Sequence, residues 1–337
     1  MLLIVASILV LMFLNLVLGS VSIPLKSVWN IICGLGDEPV TWQNIVWKSR
    51  LPQALTALVA GAGLAISGLQ MQTVFRNPLA GPSVLGISSG ASMGVAFVVL
   101  LGGSLGGVAL SKLGFMGEIA LSIAAVIGSL SVMALIVYVA QNVKGNVTLL
   151  IIGVMIGYVA NAVIGVLKFF SVEEDIRAYV IWGLGSFSRV SGNQMMLFVA
   201  IMAILIPLSF LLIKTLNLML LGDGYARNLG LNIKRARLLV ITSAGVLTAI
   251  VTAYCGPVIF LGLAVPHLCR AIFQTSDHRV LMPAVLFAGA ALALACNLIA
   301  RMPGFEGALP VNSVTALAGA PVVGSVLFRQ RKNELNE

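Results

Sequence analysis

Charge is scarce in this sequence: Asp, Glu, Lys and Arg make up 9% of its 337 residues, against 59% hydrophobic residues and a mean hydropathy of +1.07. So few charges cannot solvate the surface of a soluble domain, and the chain therefore belongs in a lipid bilayer. Histidine is nearly missing. His267 and His278, in "VPHLCR" and "SDHR", have no third ligand nearby and are expected to satisfy local backbone or carboxylate partners rather than a metal. The cysteines Cys33, Cys255, Cys269 and Cys296 are scattered without C-x-x-C spacing and read as small buried hydrophobes, not as disulfide or metal ligands. No G-x-x-x-x-G-K-S/T phosphate loop is present, so no recognisable motif lets the chain hydrolyse ATP. A nucleophile-base constellation is missing as well, so the chain is not expected to be an enzyme or to carry a cofactor. The formal net charge of +9 comes without an aromatic-studded basic surface, which argues against nucleic acid as a partner.

What is present is hydrocarbon in long runs. A spanning helix takes about 20 apolar residues, and ten such runs fall at about 2–19, 51–74, 84–102, 118–140, 147–169, 194–213, 238–255, 257–274, 281–300 and 309–328. The connections leave no room for a separate soluble domain, so residues 1–337 are expected to form one polytopic all-α domain. The opening run "MLLIVASILVLMFLNLVLG" lacks a basic n-region and is long for a signal h-region, so a retained first span is expected. Orientation follows from Lys and Arg, which cytoplasmic loops retain. The loop set containing Arg76, Arg227, Arg235, Arg237, Arg270 and Arg279 carries twelve basic residues against four acids, and the opposite set eight against seven. Both termini are thus expected on the cytoplasmic side.

The same side receives a polar, basic island, "LGDGYARNLGLNIKRAR" (221–237), within a loop of about 214–237. Asp223 can cap a short helix, Gly230 can end it, and Asn232 opens the next span. Tyr225, Ala226 and Leu229 would form an apolar face, with Arg227 and Asn228 pointing elsewhere. Two readings fit: a helix lying on lipid headgroups, or a knob inserted into a cytoplasmic partner. "RNPLAGP" (76–82) ends the second run, because Pro78 disfavours helical geometry at Asn77; it is either a bare turn or part of an inner gate. In the fifth run Gly153, Gly157, Asn161 and Gly165 recur at i+4. Close helix packing and a smooth pore-lining face at a two-fold dimer axis both fit that stripe. On the opposite side Arg50 and Arg301 stand at span ends, where snorkelling anchors are the simplest reading.

Four ordered segments resemble the permease subunits of ATP-binding-cassette importers for iron chelates, haem and cobalamin. "LGDGYARNLG" is similar to the family's G-E-x-x-A-x-x-L-G coupling element. "RLPQALTALVAGAGLAISGLQMQTVFRNPLAGPSVLGISSGA" is similar to its run of R-L-P-R, G-A-x-L-A-x-S-G, Q-x-x-x-x-N-P-L-A-x-P and L-G-x-x-x-G-A. "GPVIFLGLAVPHLCR" with "DHRVLMP", and "LPVNSVTALAGAPV", resemble its later motifs. The resemblance implies ten helices per subunit, a homodimer or a pair with a sibling permease, and a place in the bacterial cytoplasmic membrane. It also implies two ATPase subunits that use ATP and Mg inside, and a periplasmic or lipid-anchored solute-binding protein outside. By the same likeness Asp223, Tyr225, Ala226, Arg227, Leu229 and Gly230 would sit in an ATPase groove, and Arg50 and Arg301 would meet acidic residues of the binding protein. Gln72, Asn77 and Pro78 would belong to the pore or gate. The substrate would be a ferric siderophore, haem or cobalamin, with iron chelates favoured because most relatives carry them.

The chain departs from the family pattern at four places. Gln53 stands for the second arginine of R-L-P-R, Asn297 for the acid of D-x-x-A-R, and Ala308 and Asn312 for the glutamate and glycine of E-L-P-x-G. The binding-protein contact is therefore expected to be less charged than usual, with Arg301 short of acids in its own chain and Glu306 the remaining candidate to compensate. "GPSVLGI" and "GPVIFLGL" hint at a duplication of the 50–170 and 238–328 regions. The competing class, an ion-gradient-driven secondary transporter, expects acids at mid-membrane. No run has an acid in its interior; Glu118 lies at a run's start.

Overall fold

A computed structural model describes residues 1–35, 38–101, 115–143, 145–190, 192–302 and 309–334. Among them there are helices and turns but no strand. In chain order the helices are α1 (Leu2–Val17), α2 (Leu25–Cys33), α3 (Val40–Asn44), α4 (Leu51–Phe75) and α5 (Ile87–Ala96). They continue with α6 (Phe115–Asn142), α7 (Asn146–Phe169), α8 (Glu173–Gly183), α9 (Gly192–Phe210) and α10 (Ile213–Leu220). The rest are α11 (Asp223–Asn228), α12 (Ile233–Cys255), α13 (Phe260–Phe273), α14 (His278–Ala300) and α15 (Val311–Glu334). A π-helical stretch, Ile45–Arg50, joins α3 to α4, and another, Phe97–Leu101, extends α5. Six helical stretches are long and apolar enough to cross a membrane: Val40–Phe75, Met116–Asn142, Val147–Phe169, Gly192–Phe210, Ile233–Cys255 and His278–Ala300. Leu2–Val17, Ile87–Leu101 and Phe260–Phe273 are shorter apolar helices. Each apolar run seen in the sequence falls on a helix, and α11 supplies the short helix expected within the island between the sixth and seventh runs.

α4 is the axis of the bundle. It packs against α14, α12, α13, α9 and α10, and nearly every residue from Ala60 to Phe75 is buried. A helix enclosed on all sides in a membrane needs small residues, because lipid tails are as apolar as leucine and only close approach binds helices together. Its sequence, with Ala57, Ala60, Gly61, Ala62, Gly63, Ala65 and Gly68, meets that need. A Cβ added at Gly68 would lie 1.7 Å from the Gly262 carbonyl oxygen on α13, and one at Gly61 would lie 2.3 Å from that of Gly289 on α14. A second close seam joins α5 to α6, where Gly128 faces the Gly90 carbonyl at 2.2 Å from its would-be Cβ.

Several buried polar groups pair between helices, as the bilayer interior favours, although Thr56 Oγ1 and the Gln70 amide of α4 have no partner among the described residues. The hydroxyls of Ser67 (α4) and Thr248 (α12) both reach the Ala244 carbonyl oxygen at 2.8 Å. Asn15 of α1 donates to the Leu294 carbonyl at 3.0 Å and accepts from Asn297 at 2.8 Å, tying α1 to α14. Cys255, Cys269 and Cys296 are buried as expected, whereas Cys33 is exposed at the end of α2. The segments "GPSVLGI" and "GPVIFLGL" occupy comparable places, each leading from a turn into a short apolar helix, α5 and α13.

The seam between α4 and α13 yields a stability prediction. Gly68→Ala forces the two backbones apart and lowers the thermal unfolding temperature in detergent, by the equivalent of at least about 1–3 kcal/mol for overpacking. Gly165→Ala, where a Cβ would meet nothing within 4 Å, leaves that temperature unchanged. Equal effects of the two substitutions would contradict the seam.

Candidate functional site

The two ends of the bundle gather different chemistry. One end carries the island. Gly222 (φ 96°) and Gly230 (φ 86°) bracket the six-residue helix α11, and the N–H groups of Gly230 and Leu231 close it by reaching the carbonyls of Arg227 and Ala226, each at 2.9 Å. Ala226 is fully buried, while Tyr225 and Leu229 are 74% and 61% exposed. The expected three-residue apolar face is thus divided: alanine anchors the helix and the two large side chains stand free. Arg227 and Asn228 are exposed as well.

Asp223 does not cap α11, whose N-cap is Gly222 and lacks a side-chain hydrogen bond. Its carboxylate pairs instead with Arg76 at the end of α4 and approaches Arg237 of α12 at 3.8 Å. These are the ion pairs found among the described residues. The cap that does form is at Asn232, which accepts from the N–H of Arg235 at 3.1 Å and starts α12.

Gln72, Asn77 and Pro78 lie beside this corner. Gln72 accepts from Arg270 of α13 through its amide oxygen and donates to the Leu263 carbonyl at 3.2 Å. Asn77 folds back to accept from the N–H of Leu79 at 2.9 Å, a local turn. The Pro78 carbonyl lies 2.6 Å from Nε2 of His267. "RNPLAGP" is therefore a turn pinned from α13, not a bare one. His278, at the start of α14, lies 2.8 Å from Thr73 Oγ1 and 2.8 Å from Asn217 Oδ1. Because Asn217 Nδ2 donates to Asp277 at 2.6 Å, its oxygen faces His278, and Nδ1 of His278 bears the proton. The histidines thus find a backbone carbonyl, a hydroxyl and an amide. Sequence reasoning passed over Arg76, Asn217 and Arg270, whose partners are remote in the chain.

At the opposite end Arg50 is 1% exposed and donates to the carbonyls of Leu16 (2.8 Å), Val17 (2.6 Å) and Val21. It closes the C-terminal end of α1, where carbonyls have no helical donor. Arg50 is thus not a snorkelling anchor: it is buried and bonded to three backbone carbonyls of its own chain. Arg301 is different. It lines a cavity of about 290 Å³ with Ser20, Val21, Ile45, Ser49, Arg50, Gln53 and Ser188. Its Nη1 is buried and finds no hydrogen-bond partner among the described residues. Gly19 leaves room for both guanidinium groups: a Cβ there would lie 3.1 Å from Arg301 and 3.2 Å from Arg50. Burial, and then the charge of Arg50, pull the Arg301 pKa down to about 10, so it remains cationic at neutral pH. Of the four departures from the family pattern, Gln53 lines this cavity and hydrogen-bonds Ser49 at 3.1 Å. Asn297 is paired with Asn15, and Asn312 accepts from the N–H of Ile259 at 3.4 Å. Glu306 and Ala308 lie outside the described residues.

The small-residue stripe of α7 serves two surfaces. Gly153 is buried, with a would-be Cβ 2.8 Å from the backbone of Leu85, and Gly157 faces Ser89 at 3.5 Å. Asn161 and Gly165 are exposed. Close packing accounts for the first half, and the second half faces away from the chain's own core.

Residues 7–329 match the profile of the FecCD transport family. A vitamin B12 import system permease protein of Klebsiella pneumoniae subsp. pneumoniae is 37% identical over 289 residues, covering 86% of this chain and 84% of that protein. A hemin transport system permease protein of Yersinia pestis is 33% identical over 317 residues, covering 94% and 91%. A solved structure described as a metal-chelate type ABC transporter in an inward-facing conformation superposes with a TM-score of 0.82 at 26% identity, covering 97% of both chains.

Two outcomes check the polar geometry. Removing the Arg50 guanidinium (Arg50→Met) orphans carbonyls at the end of α1 and costs about 2–4 kcal/mol of stability, whereas Arg301→Met relieves a like-charge contact and leaves the thermal unfolding temperature unchanged or raised. The N–H of Arg279, and then the amide of Asn217, hold the Asp277 carboxyl below its ordinary range. A depressed pKa contributes stability above the ordinary carboxylate range that is lost as pH falls through the folded value, so Asp277→Asn should flatten the acid limb of an unfolding-temperature profile.

Proposed function

The chain belongs to the FecCD transport family, and from that premise we propose how its two ends divide the work. It is the membrane permease subunit of an ATP-binding-cassette importer of the kind that moves metal chelates, cobalamin or haem, and it lies in the bacterial cytoplasmic membrane as a multi-pass protein. Hydrolysis in such systems resides in separate ATPase subunits, and a solute-binding protein delivers the substrate. We infer that α11 is the element that meets an ATPase subunit on the cytoplasmic side. The observation that carries this is the division of its apolar residues, with Ala226 seated in the permease and Tyr225 and Leu229 standing 74% and 61% exposed beside it. A short helix anchored by one face and presenting an aromatic and a leucine fits a hydrophobic groove.

The outer partner is assigned to Arg301 rather than Arg50. A cation that lines a cavity and whose Nη1 has no partner among the described residues suits a carboxylate of the binding protein, and such charge pairing steers encounter and sets orientation. Asn161 and Gly165 of α7 face a second permease copy or a sibling across a translocation path, and Gln72, Asn77 and Pro78 form its inner margin. ATP and Mg are used by the partner, and the permease itself carries no cofactor. A ferric siderophore is the proposed substrate, with haem and cobalamin the other members of the class. The ion-driven reading gains nothing: among the described residues the buried carboxylate is Asp175, in the first turn of α8 and outside the spans.

The test is purification from the native membrane in mild detergent, mass-spectrometric identification of what accompanies the chain, and uptake into vesicles of ferric ferrichrome, haemin and cyanocobalamin. An ATPase subunit co-purifies, Tyr225→Asp with Leu229→Asp removes it, and vanadate abolishes uptake. Uptake that resists vanadate and collapses with an uncoupler would overturn the reading, and the probe taken up names the substrate.

A further inference from the structure

Arg76 closes α4 in a left-handed backbone conformation (φ 48°) that glycine adopts freely and a side chain resists. The N–H of Arg76 reaches the Thr73 carbonyl at 3.3 Å, and that of Asn77 reaches the Gln72 carbonyl at 3.2 Å, the paired bonds of a helix end that glycine usually completes. Glycine would serve this turn with less strain. The reason for arginine must therefore lie in the guanidinium. Its Nη2 donates to the Met219 carbonyl, in the last turn of α10, at 3.3 Å and to the Asp223 carboxylate, in the first turn of α11. One side chain thus straddles the corner between two helices 143 and 147 residues further along the chain.

We propose that Arg76 is a positioning residue that makes the inner end of α4 move as one unit with α11. This rests on the reading of α11 as the ATPase-contacting helix. The partly exposed pair Arg76–Asp223 adds little to stability, as surface ion pairs do; what it supplies is a fixed direction of movement. From the end of α4 the movement has defined outlets. Gln72 is bonded to Arg270 and to the Leu263 carbonyl of α13, the Pro78 carbonyl meets His267, and Thr73 meets His278 of α14. A displacement of α11 delivered through Arg76 therefore reaches α13, α14 and the turn 77–82 together, as rigid-body transmission requires.

The experiment measures the distance between spin labels at Leu79→Cys and Asn228→Cys in a Cys33→Ser background, since both labelled positions and Cys33 are exposed. The complete importer in nanodiscs is compared without nucleotide and with Mg-ATP and vanadate. With arginine present, the distance distribution stays narrow and unshifted between the two states. Arg76→Gly keeps the helix end, the bound ATPase subunit and its hydrolysis, yet broadens the distribution roughly twofold, and Arg76→Lys restores part of it. A distribution as narrow in Arg76→Gly as in the unaltered chain, or one that shifts between states with Arg76 intact, overturns the proposal. If no ATPase subunit binds the unaltered chain, the coupling reading fails separately, and the Arg76→Gly comparison in the isolated permease still decides whether the link holds.

Discussion

Close backbone approach around α4 is the constraint on which the rest depends. In lipid, apolar side chains gain little by exchanging hydrocarbon for other hydrocarbon, so helices are held by contact at short range. Gly61 against Gly289 and Gly68 against Gly262 place neighbouring backbones where no side chain fits. Enclosed in this way, α4 cannot slide or turn independently of α13 and α14. Its two ends inherit that rigidity. The arginines just before and just after it, Arg50 and Arg76, are therefore fixed posts, one holding the end of α1 and the other the corner of α10 and α11.

The electrostatics of the two ends are opposite in character. At the end that carries α11, Arg76 and Arg237 share Asp223, and Arg270 is bonded to Gln72. Beside these pairs the large apolar side chains of Tyr225 and Leu229 stand exposed. At the opposite end Arg50 is bonded to three carbonyls, and Arg301 keeps a buried nitrogen without a partner among the described residues. A hydrophobic knob gives a contact that persists through a cycle of movement, whereas an unsatisfied cation gives orientation to a protein that comes and goes.

Composition and run length were enough to read the membrane class and the main helices, because hydrocarbon thickness dictates both. The helices α2, α3, α8 and α10 were not legible; they are short, and tertiary contact sustains them more than any period of their own. Asp223 shows why local rules fail at functional corners: an acid before a helix reads as a cap, but Arg76, 147 residues away, takes it. Arg50 misled in the opposite way. The anchor reading assumed exposure and did not allow for carbonyls 29–34 residues upstream. The stripe on α7 fits two readings in the sequence; Gly153 and Gly157 pack on Leu85 and Ser89, whereas Asn161 and Gly165 face away from the chain's own core.

The contrast between α4 and α7 bears on how such a protein can change over generations. Substitution on α4 disturbs several neighbours at once, so its sequence is confined to what its contacts allow. On α7, Ile151, Met155, Tyr158, Val159 and Val166 are exposed beside Asn161 and Gly165, and none of them is needed to seat the helix on Leu85 and Ser89. That face can vary in size and polarity while the frame stands still; on the proposed reading of α7 as a wall of the translocation path, one architecture is thereby retuned to cargoes of different shape without being refolded.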